Sequence, residues 1–460
     1  MYDVILFNNI PVIGELSRGI GVYRLATELR KNGYSAFVID YASLMNIEQF
    51  EKIISKVVDN NTVMFGVSST WFGFQRDQLF STSKLRSVLD KYSNSYKLTI
   101  GGAFSYEFLD DDYDHIFIGH SENQIIDFLN SNSCQKIIDW DKKANEGKFD
   151  FNNSLTQFVN TDVLHSDEIL GLETSRGCIF NCTFCNYPHK GQNTRDFMKY
   201  EDVLYQELMD NYNKYGITRY SIIDDTFNDY TDKLVKIKTV IDRLPFRPTF
   251  WAYLRFDLID AHPEQAQLIY DIGVRAAMHG LETWNDETSK VIKKGSRQRK
   301  INGMKIAKKI WNNDVFINCF YIVGLPKDNV EDVYDFVSFW KEEGYKFIDS
   351  VTAFPLYLRD LNNKYAILSD IEKNKQDYGY AMIGPKDWLR NDEGNITSFK
   401  QALELASFIN DSCKKKESNK IKGELDVYYI DYLCVDKLHR KKNIAPQLIQ
   451  THEYNQSQLN

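Results

Sequence analysis

The sequence predicts an α/β protein with two successive parallel sheets and a C-terminal region of different character. Two observations carry that reading. Short apolar runs alternate with helical stretches twice over, from Val4 to Asn130 and again from Glu168 to Phe354. A polar, poorly periodic stretch separates the two series, and a loop with cysteines at spacing C-x3-C-x2-C follows the first strand of the second.

The totals fit that plan. A chain of 460 residues is long enough for about two or three domains with a large core. It is 43% hydrophobic and 26% charged, the balance of a soluble globular protein. Seven cysteines, three of them in one loop, do not form a disulfide framework and point to a reducing, cytoplasmic setting. Met1-Tyr2-Asp3-Val4 lacks the start of a signal peptide, and no apolar run approaches membrane-spanning length. A formal net charge of −8 disfavours sequence-independent nucleic-acid binding without excluding a local basic patch.

The first series opens with Val4–Phe7, an apolar run that reads as a buried strand. Asn8 to Arg18, with Pro11 and Gly14, reads as a loop, and Gly19 to Lys31 as a helix stopped by Asn32-Gly33. Ala36–Ile39, Val63–Ser68, Lys97–Ile100 and His115–Ile118 read as strands, with helices at Ile47–Val58, Asp77–Tyr92 and Glu122–Asn130. Parallel sheets of this kind bind ligands beyond the carboxyl ends of their strands. The candidate contacts are therefore Ser68-Ser69-Thr70, Gly101-Gly102 and Gly119-His120, with tight turns as the plain alternative. Gly19-Ile20-Gly21 lacks a full dinucleotide fingerprint and reads as the start of a helix.

Ser131 to His165 is rich in Asn, Asp and Lys and reads as a surface linker. Six strands then alternate with helices: Glu168–Glu173, Arg219–Asp224, Thr249–Leu254, Val274–His279, Phe316–Val323 and Ser350–Phe354. The helices fall at Tyr200–Tyr215, Lys233–Asp242, Pro263–Tyr270, Glu287–Lys293, Arg297–Trp311 and Glu331–Glu342. Six strands fall short of the eight that close a full barrel.

Cys178, Cys182 and Cys185 form the cysteine loop. Thiolates are the usual ligands of iron–sulfur clusters, and a four-iron cubane ordinarily takes four. Three leave one iron open to hold a reacting molecule. A structural zinc site is the bland alternative. It needs a fourth ligand, and His189 is off-pattern while Cys134 lies far upstream. Unliganded core cysteines are the other.

The run Gly177–Cys185 resembles the cluster loop of the radical S-adenosylmethionine (SAM) enzymes, C-x3-C-x-aromatic-C, with Phe184 in the aromatic place. The resemblance implies a partial (β/α)6 barrel. It also implies a [4Fe-4S] cluster on Cys178, Cys182 and Cys185, whose open iron is chelated by SAM. An electron from a donor such as flavodoxin or ferredoxin would then split SAM into methionine and a 5′-deoxyadenosyl radical. Later strand ends extend the resemblance: Asp224-Asp225-Thr226-Phe227, Arg255, Gly280-Leu281-Glu282-Thr283, Asp286 to Gly295, and Gly324-Leu325-Pro326. It implies SAM contacts at Phe184, Asp225, Arg255, Glu282 and Val323. A helix cap at either aspartate and a surface ion pair at Arg255 are the plain alternatives. His279 reads as a packed core histidine.

Gly101-Gly102-Ala103-Phe104 and Asp114 to Glu122 resemble the cobalamin-binding-like domain that precedes many radical SAM cores. That resemblance implies cobalamin contacts at Ser68, Ser69, Gly101, Gly102 and Gly119. No D-x-H-x-x-G motif follows the first strand, so no lower axial histidine is offered and cobalamin stays open.

The expected organisation is a cobalamin-binding-like domain over 1–132, a linker over 133–165, a core barrel over 166–356 and an α-rich cap over 357–460. Within the cap, Ser398–Ser412 reads as a helix, and Lys414–Lys416 and Arg440–Lys442 as solvated charge runs. With cobalamin, the implied outcome is methyl transfer to an unactivated carbon. Without it, oxidation, rearrangement, cleavage and nucleic-acid modification stay open, as does a non-catalytic cluster-binding module. The substrate is not named by the sequence.

Overall fold

The structure is a computed structural model that describes residues 1–8, 17–42, 45–70, 81–131, 133–139, 149–361, 363–390 and 396–414. Most of the Asn8–Arg18 loop, the start of the Asp77–Tyr92 helix and both C-terminal charge runs, save Lys414, lie outside those residues. The described residues form two compact units. One is Met1–Gly171 with Gln206–Arg219; the other is Leu172–Tyr205 with the residues from Tyr220 onward.

In chain order the first strands are β1 (Val4–Phe7), β2 (Ser17–Arg18), β3 (Ala36–Ile39), β4 (Met64–Ser68), β5 (Lys97–Gly101), β6 (His115–Ile118) and β7 (Ile137–Asp139). All but β2 form one sheet in the order β3-β1-β4-β5-β6-β7, and every pairing is parallel. Val4 through Phe7 are buried on both faces, as a strand covered by helices on each side must be. The chain order reverses between β3 and β4, on either side of β1. That topological switch places the binding crevice of such a sheet outside the carboxyl ends of β1 and β4, at Asn8 and Ser68.

The stretch read as a linker carries β7, which extends this sheet beyond β6. Its Ile137-Ile138 pair is too short to stand out among the surrounding polar residues. Arg18 is sealed inside the first unit, where it meets Glu168 at 3.0 Å through Nη2 and Tyr23 at 2.6 Å. Ser17 pairs with Ile169, so the two-residue β2 is held by a neighbour and a buried ion pair more than by its own sequence.

The later strands are β8 (Ile169–Leu172), β9 (Arg219–Ile222), β10 (Thr249–Leu254), β11 (Val274–Glu282), β12 (Phe316–Val323) and β13 (Ser350–Pro355). Their sheet has the order β13-β12-β11-β10-β9-β8-β2. The run from β8 to β13 follows chain order, the signature of repeated right-handed strand–helix–strand units. β11 runs three residues beyond its expected end. An irregularity between Gly280 and Glu282 shifts its register against β12, and Glu282 takes a left-handed φ of 65°. Such bulges re-aim a side chain at a strand end.

A helix at Phe256–Ala261, which the sequence does not announce, follows Arg255 directly. In the tail, β14 (Tyr380–Met382) and β15 (Trp388–Arg390) form an antiparallel hairpin. The helix Phe399–Ser412 packs on β13, where Asn410 accepts from Ala353 N–H at 2.8 Å and donates to its carbonyl at 2.9 Å. The tail thus adds a hairpin to its helices. No helix among the described residues is long and apolar enough to cross a membrane.

Candidate active site

The cysteine loop leaves the carboxyl end of β8 and is held by its own backbone. Cys178 N–H donates to His189 C=O at 3.2 Å, Gly191 N–H to Phe180 C=O at 3.0 Å, and Cys185 N–H to Cys182 C=O at 3.1 Å. His189 is buried, its Nδ1 paired with Gln192 at 3.1 Å. The Cys178 sulfur lies 3.6 Å from Thr226 Oγ1, the Cys182 sulfur 3.8 Å from Lys293 C=O, and Cys185 Sγ accepts from Tyr187 N–H at 3.4 Å. Burial pushes the thiol of Cys178 up and that of Cys185 to about 11.

The charge of Cys182 bears on Cys178, and those of Cys182 and Cys178 on Cys185. Yet no group of three His, Cys, Asp or Glu among the described residues is arranged to hold a single metal ion.

The two aspartates after β9 divide their roles. Asp224 is buried and accepts from the N–H groups of Thr174 and Ser175 at 2.8 and 3.1 Å. It also accepts from their hydroxyls at 2.5 and 2.7 Å. Lys233 Nζ stands 3.1 Å from both Asp224 and Asp229 and donates to Ser175 Oγ at 2.8 Å. Asp224 therefore anchors the first turn of the cysteine loop. Asp225, expected to meet SAM, is solvent-exposed and receives the Tyr187 hydroxyl. Although open to solvent on one side, its carboxyl is pushed up to about 7, first by dehydration and then by the charges of Asp224 and Glu173.

Arg255 lies at the end of β10 and is buried. Its guanidinium stacks 3.8 Å from the Phe180 ring centroid, and Asp257 takes its Nε at 3.1 Å and Nη2 at 2.6 Å. Nη1 is buried with no hydrogen-bond partner among the described residues. Glu282 is buried and pairs with Lys294 at 3.1 Å. The same ammonium stands 5.9 Å from the ring centroid of Phe184. Phe184, Glu282 and Lys294 thus meet. Lys294 went unassigned from the sequence, although it sits in the stretch Asp286–Gly295 that carries part of the resemblance.

Val323 ends β12, fully buried, and its carbonyl accepts from Leu356 N–H at 2.8 Å. Gly324 has φ 95° and faces the tail hairpin: a Cβ there would lie 2.8 Å from the Trp388 ring. Tyr380 donates to Gly324 C=O at 2.7 Å, Trp388 Nε1 to Leu356 C=O at 2.9 Å and Arg390 to Leu325 C=O at 3.0 Å. The space beside Gly324 is therefore occupied by the protein's own indole. His279 is a core residue, as expected, its ring edge-on to Phe256 at 4.9 Å.

A cavity of about 160 Å³ lies beside the loop, lined by Asn181, Thr183, Lys190, Lys293, Asp370 and Lys373. The short helix Asp370–Lys373 grips the loop there, with Ile371 N–H donating to Thr183 C=O at 3.0 Å.

In the first unit, Ser69 N–H donates to Gly101 C=O at 2.7 Å, and Ser69 Oγ accepts from Phe104 N–H at 3.1 Å. Gly102 has φ 107°, and a Cβ there would meet Thr70 Oγ1 at 2.9 Å and Ser69 Oγ at 3.0 Å. Ser68, Ser69, Gly101 and Gly102 are thus brought together, and the close approach that needs Gly102 is made by the neighbouring loop. Gly119 follows β6 directly, with φ 86°.

Residues 172–339 match the Radical SAM superfamily model, and this part of the chain is a radical SAM domain. An uncharacterized methyltransferase of Pyrococcus horikoshii is 26% identical over 214 residues, which cover 46% of this chain and 45% of that protein. A provisionally named methylthiotransferase of Methanocaldococcus jannaschii is 30% identical over 173 residues, 35% of this chain and 36% of that protein. The chain spans less than half the length of these curated relatives.

Among solved structures, the radical SAM methyltransferase TsrM from Kitasatospora setae, with cobalamin and a [4Fe-4S] cluster bound, matches with a TM-score of 0.60 at 16% identity. That match covers 86% of this chain and 82% of that one. The cobalamin-dependent SAM radical enzyme OxsB, with aqua-cobalamin and SAM bound, matches at 0.53 and 15% identity, over 82% and 56% of the two chains. The α/β fold with a cobalamin-binding-like region ahead of a radical SAM domain is thereby shared with both.

Proposed function

We propose that this chain is a radical SAM enzyme that binds a [4Fe-4S] cluster on Cys178, Cys182 and Cys185 and SAM beside it, and that cobalamin serves it in methyl transfer. One observation carries the reading: a loop of three thiols stands at a strand end beside Phe180, over whose ring lies a guanidinium with an unused N–H. A buried Arg nitrogen without a partner calls for an anion, and the carboxylate of SAM is one. When bound, the reduced cluster supplies the electron that cleaves the sulfonium bond.

The chain's own residues hold the reactants. Asp224, fixed by Lys233, sets the path of the loop. Arg255 presents Nη1 to the SAM carboxylate, and Glu282, aimed by the β11 bulge and paired with Lys294, presents its remaining carboxylate oxygen to a donor group. Phe184 shields the loop beside them, and Val323 closes the far wall. Asp225, open to solvent, faces the SAM amino group or the substrate. The electron comes from a one-electron carrier such as a flavodoxin or ferredoxin.

Cobalamin is assigned to the carboxyl ends of the first sheet, around Ser68, Ser69, Gly101, Gly102 and Gly119. Its support is the fold shared with TsrM and OxsB together with the switch point between β1 and β4. Anaerobic reconstitution tests both parts. Reduced protein should release 5′-deoxyadenosine from SAM, and a corrinoid absorption band should survive desalting after incubation with hydroxocobalamin. Release without the band leaves a radical SAM enzyme that works without cobalamin. Neither signal leaves a cluster-binding module.

A further inference from the structure

We infer that Asp257 is a positioning residue that sets the edge Arg255 offers to the carboxylate of SAM; this rests on the functional reading above. Two contacts fix the guanidinium. Phe180 lies against its flat face at 3.8 Å and fixes its plane. Asp257 then fixes its rotation within that plane by taking the Nε–Nη2 edge, at 3.1 and 2.6 Å. The fork geometry of a guanidinium leaves Nη1 as the outward corner. That corner is the buried nitrogen without a partner among the described residues.

Asp257 is itself fixed. It is buried in the first turn of the helix Phe256–Ala261, where a carboxylate is favoured by the helix dipole. Gly295 packs closely against it: a Cβ at Gly295 would lie 2.5 Å from Asp257 Cβ and 2.6 Å from its Oδ2. Gly295 follows Lys294, the partner of Glu282. One carboxylate therefore braces the strand-end arginine against the loop that carries the lysine. A guanidinium without that brace can turn its free corner away while still stacking on Phe180.

The test uses reconstituted full-length protein and two ligands. SAM has the carboxylate; 5′-methylthioadenosine lacks the amino-acid end. Asp257→Asn should raise the Kd for SAM about tenfold, the scale of one hydrogen bond to a charged group, and leave the Kd for 5′-methylthioadenosine and the iron content near wild type. Asp257→Glu keeps the charge but shifts it by a methylene, and should give an intermediate ratio; it carries the test if the asparagine variant does not fold. Equal weakening of both ligands, or unchanged SAM affinity, overturns the proposal. Wild-type protein that holds iron but binds no SAM overturns the functional reading itself, and the proposal with it.

Discussion

The ammonium of Lys233 lies 3.1 Å from the carboxylate of Asp224, and both side chains are sealed from water. This pair ties the start of the cysteine loop, through Thr174 and Ser175, to the end of β9. Burial alone would lower the lysine's pKa, but Asp224 and Asp229 outweigh it and hold the group charged. Lys233→Met strands two carboxylates without a counter-charge. It should cost about 3–5 kcal/mol in denaturant unfolding and lower the iron retained after reconstitution. A loss below about 1 kcal/mol would show that the pair is replaceable, as exposed pairs are.

Asp328 gives a pH-dependent signature. It is buried, accepts from Thr283 at 2.6 Å and from Leu325 N–H at 3.1 Å, and its carboxyl is pushed up to about 7, chiefly by burial. The folded protein therefore keeps this proton to higher pH than the unfolded chain. The group's contribution to stability is complete below about pH 4 and is lost as pH rises toward 7. Asp328→Asn cannot titrate. The stability of wild type relative to the variant should therefore fall across that window, read from urea midpoints at a series of pH values. A flat difference contradicts the assignment.

The contact between Gly324 and Trp388 is steric. Gly324→Ala meets both a left-handed φ, costing about 1–3 kcal/mol, and the indole 2.8 Å away. Trp388→Ala leaves a hole beneath the hairpin and should cost about 3–5 kcal/mol. In the double variant the methyl enters that hole. Its loss should be smaller than the sum of the two single losses, measured by thermal unfolding. Strict additivity would mean that the two residues do not press on each other.

Much of the fold was legible because a strand buried on both faces must be apolar throughout, as Val4–Phe7 is. The cysteine spacing was equally plain. Elements held by their surroundings were not. β2 is two residues long, β7 is short, and Phe256–Ala261 is a single turn and a half started by its junction with β10. The hairpin of Tyr380–Met382 and Trp388–Arg390 is stabilised by what it covers, with no alternating run of its own.

The site shows the same limit. Sequence places two carboxylates at Asp224 and Asp225, but only the geometry of the strand end decides which turns inward. Lys294 meets Glu282 because the chain folds back after the helix Asp286–Val291, a meeting that spacing alone does not reveal. Nothing in the spacing of Gly324-Leu325-Pro326 announces that the space beside Gly324 is filled by Trp388.

Replacing Cys178, Cys182 and Cys185 by alanine should abolish iron and sulfide uptake while far-ultraviolet circular dichroism stays that of wild type. Their sulfurs make long contacts of 3.4–3.8 Å, which contribute little to the fold. Loss of secondary structure in the triple variant would make these residues structural.

The most direct test of the account is electron paramagnetic resonance of the reduced, reconstituted protein with and without SAM. A [4Fe-4S] signal whose g values shift when SAM is added, and which is absent from the triple alanine variant, is the predicted result. A cluster signal that SAM leaves unchanged would contradict the claim that these thiols hold a cluster with SAM bound at its open iron.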